Sequence, residues 1–115
     1  MSATLYGISN CDTVRKARRW LSEHDVDYQF HDLRKDGLDA KTLQHWNNKA
    51  GWETLLNKRA TTWRKLPEAV RDKINQQSAL ELMREQPTLI KRPVLDADKQ
   101  IHVGFNADHY TSLFG

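Results

Sequence analysis

An α/β fold built on a mixed four-stranded sheet, interrupted in the middle by a block of helices, is what this 115-residue sequence predicts. Three observations carry that expectation. Two strand-like stretches flank an amphipathic helix near the N-terminus, an order that favours a parallel pair joined by a crossover. Residues 52–86 carry helical punctuation and no strand signal. The last part returns to two strand-like stretches around a turn and closes with a short helix.

The elements follow in order. Residues 3–8, bounded by Ser9 and Asn10, read as a buried strand. From Val14 the positions Val14, Ala17, Trp20 or Leu21, and His24 recur at helical spacing, with Arg15, Lys16, Arg18 and Arg19 outside, so a helix is expected to end near His24 and Asp25. Val26 to Leu33 alternates apolar and polar residues and reads as the second strand, after which Lys35-Asp36-Gly37 turns the chain. Leu38 and Asp39 have the character of a staple residue and an N-cap, opening a helix that carries Leu43, Trp46 and Ala50 inward and stops near Gly51. Pro67 suits a first helical position, Ser78-Ala79-Leu80-Glu81 matches a capping box, and Gln86-Pro87 ends that helix. Thr88 to Leu95 leads into a third strand, residues 96–99 turn, Gln100 to Phe105 returns antiparallel, and Asn106 caps a last helix through Leu113. The resulting order, β-α-β, a helical insertion over about residues 39–86, then β-β-α, is a thioredoxin-like arrangement, expected as a single domain over residues 1–115.

Composition narrows the function classes. Hydrophobic residues make up 38% and charged residues 29% of the chain, which suits a soluble globular protein, and no apolar run approaches the roughly 20 residues of a membrane span. The N-terminal residues lack the basic region and apolar core of a signal peptide, so a cytoplasmic protein without membrane contact is expected. The formal charge of +3 is too modest and too dispersed to predict direct nucleic-acid binding. Five histidines show no metal-ligand spacing, so no metal and no bound cofactor are expected.

Cys11 is the single cysteine, which excludes both a disulfide framework and a cysteine-rich zinc module. A lone cysteine is often only a small buried hydrophobe. Here, however, the thiol follows a strand and opens a basic helix, where first-turn amides, the helix dipole and the nearby Arg15 and Lys16 favour the thiolate, while Asp12 opposes them. Val14 stands where a Cys-x-x-Cys motif would place a resolving thiol, two residues beyond Asp12 and just after Thr13, so an internal dithiol switch is excluded. Arg92-Pro93 precedes a strand and reads either as a cis-proline turn or as the start of an edge strand. The run Lys58 to Lys65, with Arg59, Trp63 and Arg64 interleaved, reads as a solvated loop between helices or as a surface for an anion or a protein partner.

The segments LYGISNCDTVRKA, LLNKRATTWRKL, PTLIKRPVL and the late VGF at Val103 to Phe105 resemble the arsenate reductase (ArsC) and Spx family, most closely its small YffB-like branch of glutathione-dependent thiol reductases. The resemblance spans Thr4 to about Phe114. It implies a thioredoxin-like domain with a helical insertion and a nucleophilic Cys11. It further implies that Arg92, in the KRP segment, helps hold an anion, and that Arg15 belongs to the anion loop that follows the cysteine. The family's arsenate-binding arginine after the paired leucines falls at Asn57, with Lys58 and Arg59 beyond it, and a later third arginine falls at Gly104. Losing planar bidentate donors weakens an oxyanion site.

Three functions are therefore expected in turn. The first is a glutathione-dependent thiol reductase or transferase in which Cys11 attacks a disulfide and glutathione, as co-substrate, resolves the product; Asn10, Thr13, Arg15, Lys58, Arg59, Arg92 and Pro93 would serve substrate or glutathione binding. The second is reduction of arsenate or another oxyanion. The third is an Spx-like module that binds RNA polymerase or another protein.

Overall fold

The junction that matters most is written in the residues between the first strand and the first helix. In the computed structural model, which describes residues 3–114, β1 (Ala3–Gly7) runs into a turn and then into α1 (Asp12–Glu23). Val14, Ala17, Trp20 and Leu21 form the buried stripe of α1. The helix ends in a Schellman arrangement: Asp25 is left-handed at φ 56°, Asp25 N donates to Ser22 O, and Val26 N donates to Leu21 O. That closure explains why β2 (Gln29–Asp32) is shorter than the aromatic alternation suggests. The amide of Val26 is spent on the helix end, and the sheet pairing starts only at Gln29.

The chain divides into two compact units, one made of residues up to Gly37 together with Arg92 onwards, the other of Leu38–Lys91. In the first, the strand order is β2-β1-β3-β4, with β3 at Val94–Ala97 and β4 at Gln100–Val103. β1 pairs parallel to β2 and antiparallel to β3, and β3 pairs antiparallel to β4. The hairpin turn is tighter than expected. Asp98 and Lys99 alone make it, both left-handed at φ 53° and 63°, because a two-residue loop of that hand matches the right-handed twist of the strands. Asp96 and Ala97 consequently belong to β3. The last helix, α7 (Ala107–Phe114), is capped by Asn106, whose Oδ1 accepts from His109 N at 3.1 Å.

One face of this sheet carries the core. Ala3 and Leu5 of β1 and Leu95 and Ala97 of β3 pack with Ala17, Trp20 and Leu21 of α1 and Tyr110 of α7. Tyr110 anchors the aromatic part, edge-on to Trp20 at 5.5 Å and to Phe105 at 4.9 Å between ring centroids. His24, counted in the helical stripe from sequence, is instead exposed and stacks on Trp20 at 3.9 Å.

The second unit is helical. After the one-residue N-cap Asp39, whose carboxylate accepts from Thr42 N at 2.7 Å, come α2 (Ala40–Ala50), α3 (Trp52–Leu55), α4 (Thr61–Arg64), α5 (Glu68–Asp72), α6 (Gln76–Glu85) and a 3-10 turn at Pro87–Leu89. Leu43, Trp46, Leu55, Trp63, Ala79 and Met83 are buried within it. Its ends are stitched by an isolated antiparallel bridge between Leu56 and Ile90, with Asn57 N donating to Leu89 O and Lys91 N to Leu55 O, which carries the unit to Lys91. The capping box lies one turn earlier than the Ser78-Glu81 pattern suggests. Asn75 is the cap: its Oδ1 accepts from Ser78 N at 2.9 Å, and Ser78 Oγ accepts from Asn75 N at 3.0 Å. Serine at the third helical position thus does the work expected of glutamate. Pro67 likewise sits at the N-cap of α5, one place before the helical position expected for it.

Candidate active site

Gly7 decides where Cys11 goes. It closes β1 opposite Asp32 of β2, and a Cβ built on it would lie 2.7 and 2.9 Å from the two methyl carbons of Val14, which is fully buried. Only a hydrogen fits between the end of the strand and the first turn of α1. The chain then turns at Ser9 and Asn10, and Cys11 arrives as the N-cap of α1 with φ −90° and ψ 126°.

Backbone bonds hold Cys11 on both sides. Its N–H donates to Ile8 O at 3.0 Å, and its carbonyl accepts the first helical bond from Arg15 N at 3.0 Å. Its side chain is half-buried and makes no capping hydrogen bond, so the sulfur stands at the amide-bearing end of a twelve-residue helix. Arg15 straddles the cysteine. Its Nη1 donates to Asp12 Oδ1 and its Nη2 to Asn10 O, both at 3.0 Å, tying the residues on either side of Cys11. The ion pair is exposed and contributes at most about 1 kcal/mol, so an incoming anion competes for it readily. Thr13 is exposed in the first turn of α1.

The peptide bond between Arg92 and Pro93 is cis, which resolves the two readings of that pair. Pro93 does not open an edge strand, since β3 lies between β1 and β4, and its carbonyl accepts from Gly104 N at 2.8 Å. Arg92 is half-buried just before it. These residues and the Asn10 to Arg15 group all belong to the sheet unit. Lys58 and Arg59 belong to the helical unit, where with Glu53, Leu56, Asn57 and Lys91 they line a depression of about 590 Å³. The loop expected around them is partly ordered as α4, and Trp63 is buried there with Lys58 Nζ 5.6 Å above its ring centre, so the indole is core and not a free docking surface. Where the resemblance expects arginines, Asn57 Oδ1 accepts from Arg59 N at 3.1 Å and Gly104 bends the chain at φ 84°.

Asp32 is a site residue that sequence reasoning passed over. Partial burial works to raise its pKa, but the amides of Lys35, Arg34 and Ser9 and the Ser9 hydroxyl together hold the carboxyl below its ordinary value of 3.8. Oδ1 accepts from Arg34 N at 2.9 Å and Lys35 N at 3.1 Å, so the carboxylate orders the turn after β2, and the effect of Ser9 on it puts that turn beside the loop that presents Cys11. The Asp32 to Asp36 spacing in a turn was the available signal. A carboxyl with a lowered folded pKa stabilises fully above 3.8, and this contribution is lost as pH falls through its folded value. Urea titrations across that acid range are expected to show a shallower loss of stability in Asp32→Asn than in wild type; parallel curves would refute the assignment.

His102 Nδ1 and His109 Nε2 lie 3.0 Å apart in one hydrogen bond, but among the described residues no group of three metal-ligating side chains converges. Nor, among them, is any helix long and apolar enough to cross a membrane.

Comparison with known proteins agrees with this geometry. A solved structure named as the YffB protein superposes with a TM-score of 0.94 at 46% identity, covering 98% of this chain and 99% of its own. An arsenate reductase (ArsC) related protein from Brucella melitensis is 53% identical with a TM-score of 0.80, covering 99% and 95%. More distant is the global transcriptional regulator Spx of Enterococcus faecalis, 33% identical over 91% of this chain and 80% of its own length. With the ArsC family model matching residues 6–113, the chain belongs to the ArsC family and has its thioredoxin-like fold.

Proposed function

We propose that this protein is a cytoplasmic glutathione-dependent thiol reductase or transferase with Cys11 as its only nucleophile. The observation that carries the reading is the placement of the single cysteine, half-buried and without a capping bond, at the N-terminus of α1. In the first step the Cys11 thiolate attacks the glutathione sulfur of a mixed disulfide R-S-S-G; the enzyme-glutathione disulfide forms and RS⁻ leaves to take up a proton. In the second, a glutathione thiolate attacks that disulfide, releasing oxidised glutathione and regenerating the Cys11 thiolate. Glutathione supplies both electrons, which a chain with one cysteine requires. Arg92 is suited to a glutathione carboxylate, and Lys58 and Arg59 offer a further anion-binding surface within the helical unit.

Mass spectrometry tests the cycle. Incubation with oxidised glutathione is expected to add one glutathionyl group at Cys11, and reduced glutathione is expected to remove it with stoichiometric formation of oxidised glutathione. Failure of the adduct to form, or an adduct that glutathione leaves in place, would sink the mechanism.

Arsenate reduction by the same thiol is favoured by the ArsC-related relative. Opposing it, the carboxamide of Asn57 is spent on the Arg59 amide, and Gly104 brings no cation. Glutathione-dependent arsenate turnover comparable to disulfide turnover would reverse that preference. The likeness to Spx supports a reading as a binding module for RNA polymerase or another protein, which Cys11→Ser would leave intact in a pull-down.

A further inference from the structure

Beside the nucleophile loop lies a depression of about 380 Å³ lined by Ile8, Ser9, Asn10, Asp32, Arg34 and Lys35. Asn10 is the immediate neighbour of Cys11, so a ligand whose sulfur meets the thiol has its next few atoms within reach of this hollow. Its charge is arranged for an anion. The Asp32 carboxylate accepts from the amides of Arg34 and Lys35, and Ser9 further favours its charged form. Asp36, the other acid of the turn, accepts the Asp32 amide at 3.1 Å and does not line the hollow. Arg34 and Lys35, by contrast, are exposed, and among the described residues neither forms an ion pair with a side chain. Both acids therefore serve the turn, while two consecutive cations remain at the rim.

The geometry points to this depression as the subsite for a carboxylate of the thiol ligand, recognised by Arg34 and Lys35. An arginine fork beside a lysine is suited to a carboxylate, and it distinguishes a carboxylated thiol such as glutathione from a neutral one. The inference rests on the thiol-transfer reading, because it takes the ligand's sulfur to lie at Cys11.

Binding without chemistry separates the two. S-methylglutathione, whose sulfur cannot exchange, and its dimethyl ester, which lacks both carboxylates, would be titrated into the full-length protein with amide shifts followed by NMR. The acid is expected to move the amides of Ser9, Asn10, Arg34 and Lys35 and to bind at least about tenfold more tightly than the ester, the scale of a charge-assisted hydrogen bond. In the Arg34→Gln/Lys35→Gln double variant, whose unfolding midpoint should match wild type, that preference is expected to fall by about tenfold, to what Arg92 alone contributes. A preference undiminished in the double variant, shifts confined to other residues, or no binding by wild type would each overturn the subsite. Binding at these residues together with an inert Cys11 would instead leave the subsite standing and remove the catalytic reading.

Discussion

Cys11→Ser is expected to abolish turnover of a glutathione mixed disulfide, by at least about a thousandfold or ~4 kcal/mol of transition-state stabilisation, while leaving the protein slightly more stable. The two effects have opposite sign for one structural reason. Position 11 is the N-cap of α1, its backbone is already extended at φ −90° and ψ 126°, and its side chain makes no capping bond. Serine is among the best residues for that place and accepts an amide of the first turn, a gain of about 0.5 to 1 kcal/mol. Cysteine at this cap thus forgoes a capping bond that serine would make. Steady-state turnover and urea denaturation of the same preparation test both halves. Retained turnover would remove the mechanism, and a variant less stable than wild type would contradict the capping argument.

Gly7→Ala is expected to destabilise the protein by about 2 kcal/mol, the range of overpacking in a filled core. The added carbon meets Val14 Cγ2 at 2.7 Å and Cγ1 at 2.9 Å, and Val14 is fully buried and branched, so neither methyl has room to turn away. The strain is expected to move the first turn of α1 away from β1. Cys11 moves with that turn, and a displacement on the order of 1 Å costs about a hundredfold in rate. A double-mutant cycle with Val14→Ala isolates the contact: the double variant should be less destabilised than the sum of the singles by about 1 kcal/mol. Strict additivity, or an alanine variant as stable as wild type, would show that the strand end gives way freely.

Much of this fold was legible from local pattern. The apolar period of α1, the Asp39 and Asn106 caps and the proline after α6 act within a few residues, and the structure shows each one. Errors arose where two local signals competed. Ser78 offered a capping box with Glu81, but Asn75 stood three residues ahead and took the cap, leaving Ser78 to close the box from the third position. Residues 96–99 offered four turn formers, yet pairing with β1 and β4 drew Asp96 and Ala97 into the strand.

The sequence by itself determined that any redox cycle must take its second thiol from outside, because one cysteine has no internal partner and Val14 fills the resolving position. It also determined that this cysteine follows a strand and opens a helix. Only the tertiary structure decided what surrounds it. The close approach of Gly7 to Val14, the reach of Asp32 from β2 to Ser9, and the commitment of Arg15 to Asp12 and Asn10 depend on which strand pairs with β1 and how tightly α1 docks. Periodicity reports which face of an element is apolar; it carries no information about the few tenths of an ångström that separate a glycine from an alanine, or about which amides a carboxylate will meet across a turn.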